Sequence, residues 1–284
     1  MEAASVPAPR SEPLVIRPPS RWPRIDFAEL WRYRELLYFL AWRDLKVRYK
    51  QTALGIAWAV LQPVMYMVVF TLFFGRLAGL YAEGKPYALL ALSGSVIWLF
   101  FANAVSLAAN SLVGNAPLLT KVYFPRLLVP VAPVIAGLVD LALAFGVLVA
   151  VMVGYTFFPG WGEHFLFVLP FVALAAVTAF GVGAILAALN VRFRDVRYVV
   201  PFLMQLWLFA SPVVYSATLL PDSWRTLYYL NPMAGVVEGF RWSVLGGARP
   251  ETLAVGLSTL SALVLLVGGV LYFRRLERQF ADIV

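Results

Sequence analysis

Few residues of this chain could do chemistry, and the most informative of them is Asp140. It is the only charged residue deep inside any of the long apolar segments. Because an ionised carboxylate is costly in a membrane interior, such a residue is a candidate for a proton relay. Proton-coupled carriers usually line the membrane midplane with several ionisable groups, however, and here there is one. We therefore favour a structural role, in which Asp140 is paired with a polar neighbour on another helix or stays protonated.

Residues 79–86 imitate a nucleotide-binding motif. Gly79, Gly84 and Lys85 match the spacing of a P-loop, but Pro86 stands where a Ser or Thr should hold magnesium. The segment also lies between two apolar helices rather than between a strand and a soluble helix. It is therefore not expected to bind nucleotide.

Other catalytic and metal-binding patterns are missing from the sequence. It contains no cysteine and one histidine, and it shows no paired carboxylates, nucleophile motif or metal-ligand cluster. The single histidine, His164, is expected to be an interfacial polar residue. The chain is therefore not expected to be an enzyme by itself, and any uphill transport would draw energy from a partner or an ion gradient.

Six apolar windows dominate the sequence, which is 62% hydrophobic and 13% charged. Each is long enough to cross about 30 Å of hydrocarbon, which takes roughly 20 helical residues. In lipid the backbone must satisfy its own hydrogen bonds, so each window is predicted to be a helix. We thus predict an all-α membrane protein with six transmembrane helices near residues 54–75, 87–110, 127–153, 165–190, 198–218 and 252–273.

The positive charges predict how these helices are oriented. With both termini in the cytoplasm, eighteen of the 23 Lys and Arg residues lie on the cytoplasmic side, which agrees with the positive-inside rule. The net charge of +8 then needs no nucleic acid to explain it and suits anionic membrane lipid. The predicted location is the inner membrane, with a disordered, Pro-rich cytoplasmic tail over 1–26 and no cleavable signal peptide.

Residues 27–50 are predicted to form an amphipathic helix that is too charged to span the membrane. An apolar, partly aromatic face opposite a basic face is typical of a helix lying in the inner headgroup plane. The alternative is a helix buried against the bundle. The apolar face consists of Phe27, Leu30, Trp31, Leu37, Tyr38, Ala41, Trp42, Leu45 and Tyr49, and the polar face of Arg32, Glu35, Arg43, Lys46 and Lys50.

Two predicted spans carry aromatic and amide side chains on a shared face. In the first span these residues fall within roughly 120° of the helix circumference, and they are Trp58, Gln62, Tyr66, Phe70 and Phe73. In the fifth span they are Gln205, Phe209, Pro212 and Ser216. The segment 219–251, with the polar residues Asn231, Glu238 and Arg241, is too apolar for a solvated loop and too broken by Pro and Gly to span. Short re-entrant helices in the outer leaflet are predicted there.

Four blocks of sequence resemble a known family. They are WRDLKVRYKQTALGIAWAVLQPVMYM (42–67), LTKVYFPR (119–126), NVRFRDVRYVVPFLMQLWLFASPVVYS (190–216) and NPMAGVVEGFRWSVLG (231–246). In this order they are similar to the membrane subunit of ABC exporters for bacterial surface polysaccharides, the ABC-2 type permeases of O-antigen, capsule and teichoic acid systems. The resemblance covers about 28–284, with residues 51–284 as the six-helix ABC-2 transmembrane domain.

This resemblance implies partners and a cargo. We expect a homodimer with two separate ATP-binding cassette subunits docked below it, so that ATP and magnesium are bound by the partner and this chain carries no cofactor. The cargo would be a polysaccharide on a polyprenyl lipid.

The resemblance also implies residue roles. The turn at 111–126 would couple to the ATPase through Leu119, Lys121, Val122, Tyr123, Phe124 and Arg126, with its apolar side chains buried against the partner and Arg126 paired with an acidic residue of it. The conduit would be lined by Trp58, Gln62, Tyr66, Phe70, Phe73, Gln205, Phe209 and Ser216. For each aromatic residue, packing between helices is the alternative, and a purely structural role is the alternative for the turn.

Three other functions remain open from the sequence. An ABC-2 exporter of drugs or other lipids would share the topology, but the matches at 190–216 and 231–246 favour polysaccharide. An ion-coupled carrier would need more intramembrane charge than Asp140 provides. A membrane-bound glycosyltransferase would need an acidic catalytic cluster on a soluble or interfacial face, and none is visible.

Overall fold

Helices account for nearly all regular structure in residues 27–50, 55–79, 84–158, 160 and 162–277, which are those that the computed structural model describes. The tail 1–26, for which disorder is predicted, lies outside them. A π-helical segment, Thr71–Leu77, extends the third helix, and 3-10 turns cover Glu163–Phe167 and Ala217–Leu219. The α-helices are α1 (Phe27–Arg32), α2 (Arg34–Lys50), α3 (Gly55–Phe70), α4 (Tyr87–Gly114), α5 (Ala116–Lys121), α6 (Leu128–Gly154), α7 (Val168–Arg192), α8 (Val196–Phe209), α9 (Asp222–Tyr228), α10 (Pro232–Leu245) and α11 (Thr252–Leu276).

Five helical segments among the described residues are long and apolar enough to cross a membrane. They contain 21 to 30 residues each, and at 1.5 Å per residue even the shortest reaches about 30 Å. They are Ala57–Leu77, Tyr87–Gly114, Leu128–Gly154, Glu163–Arg192 and Thr252–Leu276. The predicted all-α membrane architecture is therefore confirmed, and five of the six predicted windows correspond to such segments.

The remaining window, 198–218, which is the fifth in chain order, is not one continuous spanning helix. Helix α8 has 14 residues and ends at Phe209, so it is only about 21 Å long. The chain then turns through Ser211 and Pro212 before the 3-10 turn at Ala217. Proline lacks the N–H that would continue the helical ladder and disfavours helical geometry in the residue before it. Apolar composition continues through the whole window, whereas helical hydrogen bonding stops in its middle.

Helix α4 forms the centre of the bundle. Most of its side chains are buried, and it packs against α3, α6, α7 and α10. Small residues permit this close packing, as expected for helices in lipid. A Cβ on Gly183 of α7 would lie 2.7 Å from the Cβ of Ala108 on α4.

The helix predicted to lie at the membrane interface also packs on the bundle. Leu40 and Ala41 of α2 are buried against Ala132 of α6. The aromatic residues Trp31 and Tyr38 are largely exposed. The buried contact supports the alternative of a helix packed on the bundle, and a position of the exposed aromatic side chains in the headgroup plane stays a prediction.

Candidate functional site

An open groove runs along α3 and α4. It consists of two adjoining cavities of about 510 and 540 Å³, which share Gln62, Leu99, Asn103 and Ser106 in their walls. We call the two together the aromatic groove. Helix α6 contributes to the first cavity, and α8 closes one side of the second. The groove therefore runs along residues 58–70 and 96–107, which are parts of two candidate membrane-spanning segments.

Six of the eight residues predicted to line a conduit lie in the walls of the aromatic groove. They are Trp58, Gln62, Tyr66, Phe70, Gln205 and Phe209. Trp58 and Phe209 are more than half exposed, whereas Phe70 is only 7% exposed. Phe70 packs edge to face against Tyr66, with ring centroids 5.3 Å apart, so it supports the wall more than it presents a surface.

The remaining two predicted lining residues lie elsewhere. Phe73 is in the π-helical extension of α3, is 55% exposed and does not border the groove. Ser216 follows the turn after α8 and borders a separate, polar pocket described below. The window 198–218 suggested a helical face that includes Ser216, but the helix ends seven residues earlier.

Sequence reasoning missed the polar wall that α4 contributes. Asn103 and Ser106 border both cavities of the groove. They lie three residues apart, and Asn110 follows four residues later, so the three share one helical face. The Nδ2 of Asn110 donates to the Ser106 carbonyl at 2.8 Å, and its Oδ1 accepts from Asn190 of α7 at 3.1 Å. The signal in the sequence that could have identified this wall is the helical spacing of these polar residues within an apolar segment.

Asp140 has partners from another helix. Its two carboxylate oxygens contact the guanidinium of Arg48 and the hydroxyl of Tyr49, both at the end of α2. These residues lie at one end of the groove, beside Trp58 and Gln62. The geometry is that of the favoured structural interpretation, a carboxylate paired to a neighbouring helix. A second contact fastens α2 nearby, where Arg43 donates to the Asn115 side chain at 2.6 Å.

The segment predicted to couple to an ATPase contains both buried and exposed residues. Leu119 and Phe124 are 8% and 4% exposed and belong to a core cluster with Leu128 and Phe273. Tyr123 is 83% exposed. The expectation that all the apolar residues of this turn face a partner therefore needs correction, because two of them already pack within the chain.

Arg126 also differs from its expected role. Its guanidinium donates to the backbone carbonyl of Glu277 at 2.6 Å, and its backbone N–H donates to the Glu277 carboxylate at 3.3 Å. Arg274 lies 3.3 Å from the same carboxylate. The guanidinium of Arg126 is thus bound to a backbone carbonyl of its own chain, directly after α11, and its pairing with an acidic residue of a partner stays a prediction. Lys121 and Val122 remain exposed.

Tyr123 is held from the other side of the turn by α1. The pKa of the Tyr123 hydroxyl is raised above its usual range, mainly by the negative charge of Glu29 and then by partial burial. The Tyr123 and Glu29 side chains are also hydrogen-bonded. The phenol therefore remains neutral and able to donate at physiological pH. An exposed aromatic ring with an anchored hydroxyl is a suitable docking element.

A second, polar pocket of about 580 Å³ lies between the start of α4, the turn after α8, helix α10 and the loop 246–251. We call it the polar pocket. Its charged lining residues are Lys85, Arg225, Glu238, Arg241, Arg249 and Glu251. It is lined by different residues from the aromatic groove.

Glu238 and Arg241 hold the irregular turn after α8 in place. The Glu238 carboxylate accepts from the Ala217 N–H at 3.0 Å and from the Tyr229 hydroxyl at 2.6 Å. Arg241 donates to the carbonyls of Pro212, Val213 and Tyr215 at 2.7, 3.0 and 3.4 Å. These bonds replace the helical ones that Pro212 interrupts. Burial lowers the pKa of Arg241 to about 10, so it stays charged at neutral pH.

The turn lies unusually close to α4 at Gly94. A Cβ on this residue would lie 2.4 Å from the Val213 carbonyl oxygen and 2.9 Å from a guanidinium nitrogen of Arg241. Only glycine permits this approach of the backbone. Gly94 therefore helps to position Arg241.

Asn231 is a structural junction rather than a pocket residue. Its Oδ1 accepts from the Met233 N–H at 3.0 Å, which caps α10, and from the Trp207 indole at 2.8 Å. Its Nδ2 donates to the Ala210 carbonyl and the Ser211 hydroxyl, both at 2.9 Å. One side chain thereby joins the end of α8 to the start of α10.

Comparison with known proteins agrees with the four sequence blocks. The ABC-2 type transporter family matches residues 35–245. The O-antigen export system permease protein RfbA of Myxococcus xanthus is 31% identical over 257 residues, which make up 89% of this chain and 97% of that protein. A permease of the same name from Klebsiella pneumoniae is 26% identical over 255 residues, 88% of this chain and 95% of that protein. The polysialic acid transport protein KpsM of Escherichia coli is 22% identical over 238 residues, 83% of this chain and 91% of that protein. The resemblance inferred from the motifs is confirmed, and the chain belongs to the ABC-2 type transporter family.

Proposed function

We propose that this chain is the transmembrane subunit of an ATP-driven exporter that moves a lipid-linked polysaccharide across the bacterial inner membrane. The observation that carries the proposal is the aromatic groove, in which α3, α4 and α8 each contribute both aromatic and amide side chains. The named activities of the relatives, O-antigen export and polysialic acid transport, support the cargo class.

The composition of the groove suits a sugar polymer. Stripping a hydroxyl of water without replacement costs roughly 2–7 kcal/mol, so a polysaccharide needs polar partners along its whole path. Gln62, Asn103 and Gln205 can supply them within the groove. Aromatic faces such as those of Trp58 and Tyr66 suit sugar C–H groups and impose few directional demands. A long chain can therefore slide along this wall.

The groove is open on one side, and we propose that a second copy of the chain closes it. Helix α3 is largely exposed, and so is one face of α8, where Tyr198, Phe202 and Phe209 stand out. A two-fold homodimer would bring these two faces into one self-complementary interface. The conduit then lies between the two subunits.

The proposed topology places both termini in the cytoplasm. Helix α8 and the turn that Arg241 and Glu238 hold would together make the fifth crossing in chain order, and α9 and α10 would form the re-entrant outer segment. The exposed residues Val122 and Tyr123 would dock on a separate ATP-binding subunit, which would hold ATP and magnesium.

An ion-coupled mechanism receives no support from the site. Asp140 is paired with Arg48 and Tyr49, and a relay would need a carboxylate that gains and loses its proton during transport. Export of another lipid or a drug remains the alternative that the experiment below separates.

The direct test is a deletion strain complemented with the wild-type gene. We expect surface polysaccharide to disappear and lipid-linked polymer to accumulate inside the cell, with both effects reversed on complementation. The trapped polymer would identify the cargo. Unchanged pools on both sides of the membrane would contradict polysaccharide export and leave another ABC-2 substrate.

A further inference from the structure

The segment that follows α3 departs from α-helical geometry. Residues Thr71–Leu77 are π-helical, and directly after them the Ala78 N–H donates to the Phe73 carbonyl, five residues back, at 2.9 Å. Such helices are rare and occur frequently at functional sites. The segment continues the helix that carries one wall of the aromatic groove. Its hydrogen-bond register therefore decides which side chains extend that wall.

The π register places Phe73 away from the groove. In an α-helix of about 100° per residue, positions 66, 70 and 73 fall within roughly 60° of one another, so Phe73 would extend the row of Tyr66 and Phe70. A π-helix turns less per residue, because its hydrogen bonds reach five residues back. Phe73 consequently borders neither cavity and is 55% exposed. A return to α geometry would bring its ring into the row.

Thr71 shows what the π register leaves unsatisfied. Its side-chain oxygen is buried and has no hydrogen-bond partner among the described residues. By contrast, Thr178 and Thr259 lie in regular α-helix, and each donates to the carbonyl four residues earlier at 2.7 Å. This is a usual bond for a helical threonine. In α geometry the Met67 carbonyl would accept from Thr71 in the same way.

The π register has contacts of its own that offset this loss. A Cβ on Gly75 would lie 2.9 Å from Cδ1 of Tyr87, so the glycine packs directly against that ring. The Tyr87 hydroxyl in turn donates to the Val214 carbonyl in the turn after α8. Phe74 packs on Phe70 with ring centroids 6.0 Å apart. Ring packing thus favours the π register, and a hydrogen bond favours the α register.

We propose that residues 71–77 alternate between the π register and an α register, and that the α register places Phe73 in line with Tyr66 and Phe70 as a third ring that contacts the cargo. The inference rests on the proposed function and deepens it, since it takes the groove as the path of the sugar polymer. In the π register the row of rings stops at Phe70. In the α register it continues for one more turn, with a further face for sugar C–H groups.

The register can be tested without reference to transport. The full-length chain is placed in phosphatidylcholine nanodiscs with 4-trifluoromethylphenylalanine at position 73, and its fluorine NMR spectrum is recorded. Thr71→Val removes the hydroxyl that gains its bond only in the α register. It should reduce the α population about fivefold, the effect of one typical hydrogen bond. Thr71→Ser keeps the hydroxyl and is the matched control. A single resonance at the same position in all three chains would overturn the switch.

Export tests the role of Phe73. In the complemented deletion strain, Phe73→Ala is expected to reduce surface polysaccharide about fivefold, and Phe73→Trp should retain most of it because it keeps an aromatic face. Leu72→Ala is the matched control, since Leu72 lies in the same π-helical segment and is 46% exposed. Immunoblots of the membranes measure the amount of each variant, so that a loss of export is not a loss of protein.

The outcomes separate this inference from the proposed function. Equal export by Phe73→Ala and Leu72→Ala, in a strain whose deletion abolishes export, would overturn the role of Phe73 alone. Normal surface polysaccharide in the deletion strain would overturn the proposed function instead, and the fluorine spectrum would still report the register.

Discussion

Asp140 illustrates how a membrane-embedded charge is made tolerable. Its side chain and that of Arg48 are 18% and 28% exposed, so both have lost much of their hydration. A carboxylate in such a place is stable when ionised only if a cation and a hydrogen-bond donor accompany it. Arg48 and Tyr49 fill these two roles and also fasten α2 to α6.

We expect Asp140→Asn to lower the free energy of unfolding by about 1–2 kcal/mol, because it removes the carboxylate that pairs with the guanidinium of Arg48 in a partly buried position. Thermal unfolding in detergent measures this. The double variant with Arg48→Gln should lose less than the two single losses combined, as coupled residues do. If Asp140 were a proton relay, Asp140→Asn would abolish transport while leaving stability unchanged.

The turn that follows α5 divides its residues between two roles. Phe124 is buried beside Leu127 and Phe273, and Tyr123 is exposed next to it. Adjacent residues of an extended segment point in opposite directions, and Val122 has an extended backbone. One side chain therefore anchors the turn while its neighbour faces outward.

Alanine substitutions should separate these roles. Phe124→Ala is expected to lower the free energy of unfolding by about 3 kcal/mol through the cavity it leaves. Tyr123→Ala should leave stability within about 0.5 kcal/mol but reduce transport-coupled ATP hydrolysis in the assembled complex. Thermal unfolding and ATPase assays measure the two effects. Full coupling in Tyr123→Ala would exclude this residue from the contact with the ATPase.

At the scale of elements, the α7–α11 contact depends on glycine. A Cβ on Gly269 would lie 2.2 Å from the Gly181 carbonyl oxygen, and a Cβ on Gly181 would lie 2.7 Å from the Leu265 backbone. In lipid there is no hydrophobic driving force for helix association. Helix backbones in direct contact instead gain dispersion energy over a long surface, and this energy favours the packed state. The neighbouring Gly268 has nothing within 4 Å of a Cβ position.

This pair of adjacent glycines provides a matched comparison. Gly269→Ala is expected to force the two helices apart and lower the free energy of unfolding by about 2–3 kcal/mol. Gly268→Ala should be neutral or raise it by about 0.5 kcal/mol, because alanine favours the helix. Thermal unfolding measures both. Similar stability of the two variants would contradict the direct backbone contact.

At the scale of the whole molecule, the open groove and the exposed faces of α3 and α8 suggest an incomplete conduit. A surface of aromatic and amide side chains this extensive, along a membrane-spanning helix, is not expected to face only lipid. The cysteine-free sequence allows the arrangement to be tested without background reactions.

We expect a double variant with Met65→Cys on α3 and Phe202→Cys on α8 to form disulfide-linked dimers in native membranes under mild oxidation. Both positions are at least 50% exposed on the proposed interface. The control pair, Leu260→Cys and Val264→Cys on α11, is similarly exposed but lies away from the groove and should remain monomeric. Electrophoresis without reducing agent measures the result, and dimers from the control pair only would place the interface elsewhere.

The sequence by itself determined the properties that depend on local composition. Apolar length and the need to satisfy the backbone in lipid predict helices over the five spanning segments. The four sequence blocks identified the family, and the spacing of Trp58, Gln62 and Tyr66 predicted the face that borders the groove. Each of these follows from residues close together in the chain.

Only the tertiary structure decided what depends on distant partners. Asp140 meets Arg48 and Tyr49 from a helix some 90 residues earlier, and Arg126 meets Glu277 some 150 residues later. Helix α8 can stop before Pro212 because Arg241 and Glu238 satisfy backbone groups of the turn that follows, the Pro212 carbonyl and the Ala217 N–H. The hydropathy of a segment indicates whether that segment is buried in lipid or protein. The hydrogen-bond partner of each buried polar group, in contrast, depends on how the helices pack.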